Sequence, residues 1–135
     1  MSRKVFVDTL FVIALINRRD AYHAKASELA GVFENAAFVV TDGVLLEIGN
    51  ALGRNFKAQG VEVIDGFRSS PDVEIVPLTP ELFDRAFELY RSHLDKEWGL
   101  VDCISFCVMR ELGVSSALTF DQHFVQAGFT ALMRA

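Results

Sequence analysis

Asp8, Glu47, Asp102 and Asp121 stand where a folding chain can least tolerate an unpaired charge. Each lies in or against an apolar run: Val5-Phe6-Val7 before Asp8, Val44-Leu45-Leu46 and Ile48 around Glu47, Leu100-Val101 and Cys103-Ile104 around Asp102, and Ala117-Leu118-Thr119-Phe120 before Asp121. A carboxylate taken out of water costs several kcal/mol or takes up a proton unless something pairs with it. Lysine and arginine do not occur in matching apolar settings in sufficient number to serve all four. A bound divalent cation meets the demand with one kind of partner. Oxygen ligands without histidine or thiolate suit Mg²⁺ or Mn²⁺ rather than zinc. One or two such ions leave positions for phosphate oxygens, and a pair orients an attacking water and stabilises a leaving 3′ oxygen in an in-line displacement.

Those positions need elements to carry them. Lys4–Val7 reads as a short strand, and residues 9–17 and 20–33 as helices, the second with Tyr22, Ala26, Leu29, Ala30 and Phe33 on one face. Phe38-Val39-Val40 is a second strand. Thr41 or Asp42 then caps a helix to about Gln59, with Leu45, Ile48, Leu52 and Phe56 inward. Gly60 is expected to break it before a shorter helix over 61–68. Ser69-Ser70-Pro71 is a turn, and residues 73–77 alternate as an outer strand. Thr79-Pro80 is an N-cap and N1 pair opening a helix that ends between Tyr90 and His93. Residues 101–112 form a helix closed by Gly113, residues 117–120 a strand, 122–126 a short helix and 129–133 a terminal strand.

Strands alternating with helices indicate an α/β fold, one domain over residues 1–135, with a mostly parallel sheet of about five strands. Ligands of such sheets gather at the carboxyl ends of the strands. Asp8 and Asp121 each follow a strand, and Glu47 and Asp102 lie in the first two turns of their helices, so all four can meet on one rim. Taken singly, Asp8 or Asp102 also reads as a helix cap. Glu47 is too deep in its helix for that role, and the capping account would have to repeat four times along one sheet edge.

The runs around these acids resemble the successive motifs of PIN domains. They are Val7-Asp8-Thr9, then residues 45–52 around Glu47, then Trp98-Gly99-Leu100-Val101-Asp102-Cys103-Ile104-Ser105, then Leu118-Thr119-Phe120-Asp121-Gln122-His123-Phe124. The resemblance spans essentially the whole chain. It implies a Mg²⁺- or Mn²⁺-dependent endoribonuclease, often the VapC-type toxin of a toxin–antitoxin pair, with catalytic and metal-ligand roles on Asp8, Glu47, Asp102 and Asp121. Three positions depart from the family pattern. Leu10 replaces a small or hydroxyl residue after the first acid, and Gly99 and Val101 replace hydroxyls beside the third. The alternative these departures support is a catalytically weakened PIN scaffold that acts by binding protein or RNA.

The remaining residues offer lesser candidates. Asn50 and Arg54 share the helix face of Glu47 and are candidates for orienting a ligand or meeting RNA phosphate, as are Ser105, Thr9 and Thr119 beside the other acids. Arg18, Arg19, Lys25, Lys57 and Lys96 are available to phosphate. His123 reads as a partly exposed helix histidine, and Cys103 and Cys107 as core residues in a reducing cytoplasm. Gly49 and Gly53 form a small-residue face consistent with a homodimer. A net charge of −5 argues against a broad basic nucleic-acid surface, although two bound divalent cations would bring the chain close to neutrality where phosphates arrive. Met1-Ser2-Arg3-Lys4 and the apolar stretch to Ile16 mimic a signal peptide, but Asp8 interrupts it, and it falls short of the roughly 20 residues a membrane span needs. An aspartyl-phosphate phosphatase would need an acid at Leu10, and a receiver domain one within Val76-Pro77-Leu78-Thr79. No Ser-His or Cys-His arrangement suggests itself. An RNA substrate in single-stranded or looped form and a cognate antitoxin are the expected partners.

Overall fold

Val5, Phe6 and Val7 are buried on both sides of their strand, as continuous apolar runs at the centre of a parallel sheet must be. That strand, β1 (Lys4–Val7), sits in the middle of a five-stranded sheet in the computed structural model, which describes residues 4–134. Met1, Ser2 and Arg3, the start of the signal-like stretch, and Ala135 lie outside the described residues. The other strands are β2 (Ala37–Thr41), β3 (Val73–Val76), β4 (Ser116–Leu118) and β5 (Thr130–Ala131), in spatial order β3-β2-β1-β4-β5. All four pairings are parallel, with Val5 opposite Phe38 and Phe6 opposite both Val39 and Ala117.

The helices are α1 (Thr9–Ile16), α2 (His23–Val32), α3 (Asp42–Leu52), α4 (Lys57–Ser69), α5 (Pro80–Arg91), α6 (Leu100–Leu112) and α7 (Gln122–Gln126). The chain steps outward from β1 to β2 to β3, then crosses back over β1 to β4. Right-handed crossovers place α1–α4 on one face and α5–α7 on the other. The packing agrees: α1 lies on α2 and α3, and α3 on α4, whereas α6 lies on α5 and α7. The strand order reverses between β1 and β4, and in open α/β sheets that switch point is where a crevice opens. Among the described residues no helix is long and apolar enough to cross a membrane.

The structure departs from the sequence expectations at element ends. The second helix starts at His23 rather than Asp20, because the Asp20 side chain accepts the Tyr22 N–H at 2.8 Å in a turn that competes with the helix. The helix expected to run from Thr41 to Gln59 is two helices broken over residues 53–56, and Gly60 lies inside α4 instead of ending a helix. A Cβ at Gly60 would sit 3.4 Å from the Leu52 Cβ, so this glycine allows α4 to lie close on α3. Gly49 faces Ile64 of α4 in the same way, which gives the small-residue face a partner within the chain. The strand over 73–77 stops at Val76, before a proline that cannot donate to the ladder. The strand over 117–120 stops at Leu118, and the terminal strand is two residues long before a 3-10 turn over Leu132–Arg134.

Two glycines separate backbone effects from packing. Gly113 closes α6 at φ +67, and Gly66 lies in the interior of α4; an added Cβ meets nothing within 4 Å at either position. Gly113→Ala should therefore cost about 1–2 kcal/mol, whereas Gly66→Ala should add roughly 0.5–1 kcal/mol. Urea denaturation of the two variants checks both signs.

Candidate active site

Asp8 leaves the end of β1 only 5% exposed. It occupies the N-cap position of α1 but makes no side-chain cap bond. Its carboxylate turns across the switch point to β4, where Oδ2 accepts the Thr119 hydroxyl at 2.8 Å. The same fully buried hydroxyl accepts the backbone N–H of Asp121 at 3.0 Å. The expected strand gives way at Thr119 because this residue bonds sideways, tying the ends of β1 and β4 together.

Each remaining acid also accepts a hydrogen bond. Asp121 caps α7, its Oδ1 accepting the His123 N–H at 2.9 Å. Helix α7 is anchored by Phe124, fully buried and edge-on to Phe106 with ring centroids 5.1 Å apart. Asp102 lies in the first turn of α6 and reaches back to accept the Gly99 N–H at 3.1 Å. Glu47, in the second turn of α3, accepts the Thr9 hydroxyl at 2.9 Å through Oε1. Asp102 and Asp121 thus do serve as helix caps, as the capping account expects, while Asp8 and Glu47 do not.

All four acids line one cleft of about 600 Å³, together with Thr9, Asn50 and His123 and an apolar wall of Leu10, Ile13 and Ala51. His123 is a partly exposed helix histidine, as expected, and it also borders the acids: its Nδ1 lies 3.1 Å from Asp102 Oδ2 and 3.4 Å from Asp121 Oδ1. The signal for it was its place two residues after a strand-end Asp, in the first turn of a helix that opens on the rim. Two other candidates sit elsewhere. Ser105 is buried and bonds back to the Val101 carbonyl at 3.0 Å, and Arg54 lies in the turn beyond α3, outside the cleft wall. The Cys103 thiol is pushed up to about 11 by burial, and burial raises Cys107 as well, so neither is poised as a thiolate.

Burial pushes the Asp8 carboxyl up to about 7, with Thr119 opposing the rise and the charges of Asp102 and Asp121 adding to it. Burial also raises Glu47, against its Thr9 bond and with repulsion from Asp102 and Asp121. Asp102 is raised for the same first reason, against the Gly99 N–H and with repulsion from Asp121. Among the described residues no lysine or arginine pairs with any of the four. Crowded, desolvated carboxylates without a lysine or arginine partner are a donor set that a divalent cation fits. Oxygen atoms of Asp102 and Asp121 and a ring nitrogen of His123 lie within 4.8 Å of one another, close enough to share one ion.

The departures at Leu10, Gly99 and Val101 have local explanations. Leu10 forms apolar cleft wall, Gly99 supplies Asp102 with a backbone N–H, and Val101 packs where α3 begins, 3.5 Å from the position a Gly43 Cβ would take. The hydroxyls that reach the acids come from Thr9 and Thr119.

A profile of the PIN domain matches residues 5–130. The 23S rRNA-specific endonuclease VapC20 of two Mycobacterium tuberculosis strains is 34% identical over 125 residues, covering 93% of this chain and 95% of that protein. The crystal structure of M. tuberculosis VapC20, described as a sarcin–ricin loop cleaving toxin, superposes with a TM-score of 0.83 at 32% identity over 93% of this chain and 96% of that one. VapBC2 of Rickettsia felis, crystallised with a promoter DNA fragment, shares the fold at TM-score 0.64 and 18% identity, covering 95% of this chain and 96% of that one.

Metal-free protein should lose stability as pH rises through the acid cluster. Asp8 ionises near 3.8 when exposed and near 7 in the fold, so the native state binds the extra proton between those values and its advantage is gone above about 7. Asp8→Asn keeps an acceptor for Thr119 and removes the charge. In chelator it should raise stability by about 2–4 kcal/mol above neutrality and by little near pH ~4. Denaturation at the two pH values checks this; a variant less stable than the parent above neutrality would show a native counter-charge on Asp8.

Proposed function

The chain belongs to the PIN domain family, and on that premise we propose that it is a VapC-type endoribonuclease that hydrolyses RNA phosphodiester bonds with Mg²⁺ or Mn²⁺ held by Asp8, Glu47, Asp102 and Asp121. One observation carries this reading. Four acids from four separate segments meet in one cleft at the sheet's switch point, with no lysine or arginine partner among the described residues. Such a cluster raises its own ionisation cost, and helix capping accounts for only Asp102 and Asp121.

The chemistry such ions supply when bound is charge neutralisation on phosphoryl oxygens and activation of water. The protein's part is to hold its oxygens still. Thr119 fixes Asp8 and the backbone of Asp121, Thr9 fixes Glu47, and Gly99 with His123 fixes Asp102. Ligand oxygens held in this way lose little freedom when substrate arrives, which is where preorganised sites gain rate. Asn50 offers an amide to RNA from the cleft wall, and Leu10, Ile13 and Ala51 give sugar or base an apolar surface. No side-chain nucleophile is required. Water adds to phosphorus as the 3′ oxygen leaves, giving a 5′-phosphate and a 3′-hydroxyl.

The name of the M. tuberculosis relative suggests the first substrate to test, a structured loop of 23S rRNA. Its description as a toxin also supports reading this chain as the toxin of a toxin–antitoxin pair, acting in the cytoplasm and silenced by a cognate antitoxin.

With Mn²⁺ present, purified protein should cut ribosomal RNA, and chelator should stop it. Asp102→Asn should lower the rate by at least about 100-fold. Thr119→Val, which touches no substrate, should lower it by roughly 10–100-fold through the ligands it holds. If Asp102→Asn cuts as well as the parent, the metal assignment is wrong and the scaffold acts by binding.

A further inference from the structure

A second cleft, of about 640 Å³, lies between the end of α1 and the turn that joins α3 to α4. Asn17, Arg18, Arg19, Asn55, Phe56 and Gln59 line it, and no acidic side chain does. Most cations of this chain are already engaged. Among the described residues Lys4, Lys25, Arg85, Arg91 and Lys96 pair with carboxylates, and Arg110 and Arg134 donate to backbone carbonyls. The side chains of Arg18, Arg19, Arg54, Lys57 and Arg68 do neither among the described residues. All of these except Arg68 belong to the two segments that form the second cleft: Arg18 and Arg19 line it, Arg54 precedes Asn55 and Lys57 follows Phe56.

The two clefts share a seam. Ile13 of α1 and Ala51 of α3 line the acidic cleft, and Ile16, one turn along α1, and Asn55, four residues past Ala51, line the basic one. Helices α1 and α3 pack on each other between them. The eight residues of α1 advance roughly 12 Å, a distance that an extended RNA strand covers in a few nucleotides. Carboxylates beside one end of the packed α1–α3 pair and unpaired guanidinium groups beside the other suit a substrate whose reacting phosphate needs metal and whose neighbouring phosphates need cations.

We propose that the cleft formed by Arg18, Arg19, Asn55 and Gln59 is an RNA subsite that grips the backbone a few nucleotides from the scissile phosphate. The guanidinium groups take phosphates, and the amides of Asn17, Asn55 and Gln59 are placed to bond base edges or 2′-hydroxyls. This gives a chain of net charge −5 a local basic track without a broad basic face. The assignment rests on the ribonuclease reading and extends it from the reacting phosphate to the strand beside it.

The test uses Asp8→Asn protein, which should hold RNA without cutting it, and a fluorescein-labelled single-stranded RNA oligonucleotide followed by anisotropy over a salt series. Adding Arg18→Gln and Arg19→Gln together should weaken binding at least about tenfold and reduce the log–log salt slope by about 1.4, near 0.7 for each phosphate no longer neutralised. Arg68→Gln removes an equally unpaired charge away from the second cleft and should leave the slope unchanged. With Asp8 intact, the double arginine variant should bind Mn²⁺ in calorimetry and melt as the parent does, which separates weaker RNA binding from a damaged fold. A slope change equal to that of Arg68→Gln, when the parent protein cuts RNA with Mn²⁺, would overturn the subsite alone. A parent that neither binds Mn²⁺ nor cuts RNA would overturn the ribonuclease reading and the subsite with it.

Discussion

The Thr119 hydroxyl donates to Asp8 Oδ2 and accepts the Asp121 N–H in a position with no solvent exposure, and the geometry of the cleft depends on both bonds. Strands β1 and β4 are neighbours in the sheet, but the chain reaches one from the other only after crossing the whole molecule. Their carboxyl ends are where the helical layers part; the Asp8 N–H still reaches the Leu118 carbonyl at 3.3 Å, but that backbone bond leaves the carboxylates of Asp8 and Asp121 unfixed. A single hydroxyl that uses both its donor and its acceptor capacity supplies that link. Thr9 performs a simpler version of the task for Glu47, joining the start of α1 to the second turn of α3.

These bonds matter because the acids repel one another. Burial and mutual charge raise the ionisation cost of Asp8, Glu47 and Asp102, and the threonine hydroxyls and backbone N–H groups offset only part of it. Elsewhere the structure is consistent across levels: Thr79 caps α5, Gly113 closes α6, and Phe6, Phe124 and Phe106 pack through the core in tilted and edge-on pairs. Local conflict confined to one rim of an otherwise consistent fold is the pattern of a site maintained for chemistry. His123 sits among these charges with its ring nitrogen near two carboxylates, a favourable local contact that the more separated Asp8 and Glu47 lack.

The surface around the cleft is as uneven as its interior. Carboxylates collect at the switch point while the unpaired guanidinium groups of Arg18 and Arg19 collect at the far end of α1. A net negative chain can meet a polyanion under these conditions, because approach is governed by local charge beside the α1–α3 pair and by ions held at its acidic end.

The α/β class and the places of the four acids were legible in the sequence because they depend on local signals: apolar runs of strand length, N-caps at Thr41 and Thr79, and a terminal glycine after α6. Ends of elements were less legible where side chains compete with the backbone, as at Asp20 and Thr119, and where packing outweighs propensity, as at Gly60 against Leu52. The approach of His123 to Asp102, the inward turn of Ser105 and the alignment of Arg18 with Asn55 join residues from separate elements, and no periodicity within one element reports on such contacts. By itself the sequence determined which carboxylates lie at the ends of buried strands and early in helices, since strand and helix periods set that one element at a time. Which hydroxyl holds which acid, and which cations border the cleft, was decided only when crossovers brought distant segments to one rim.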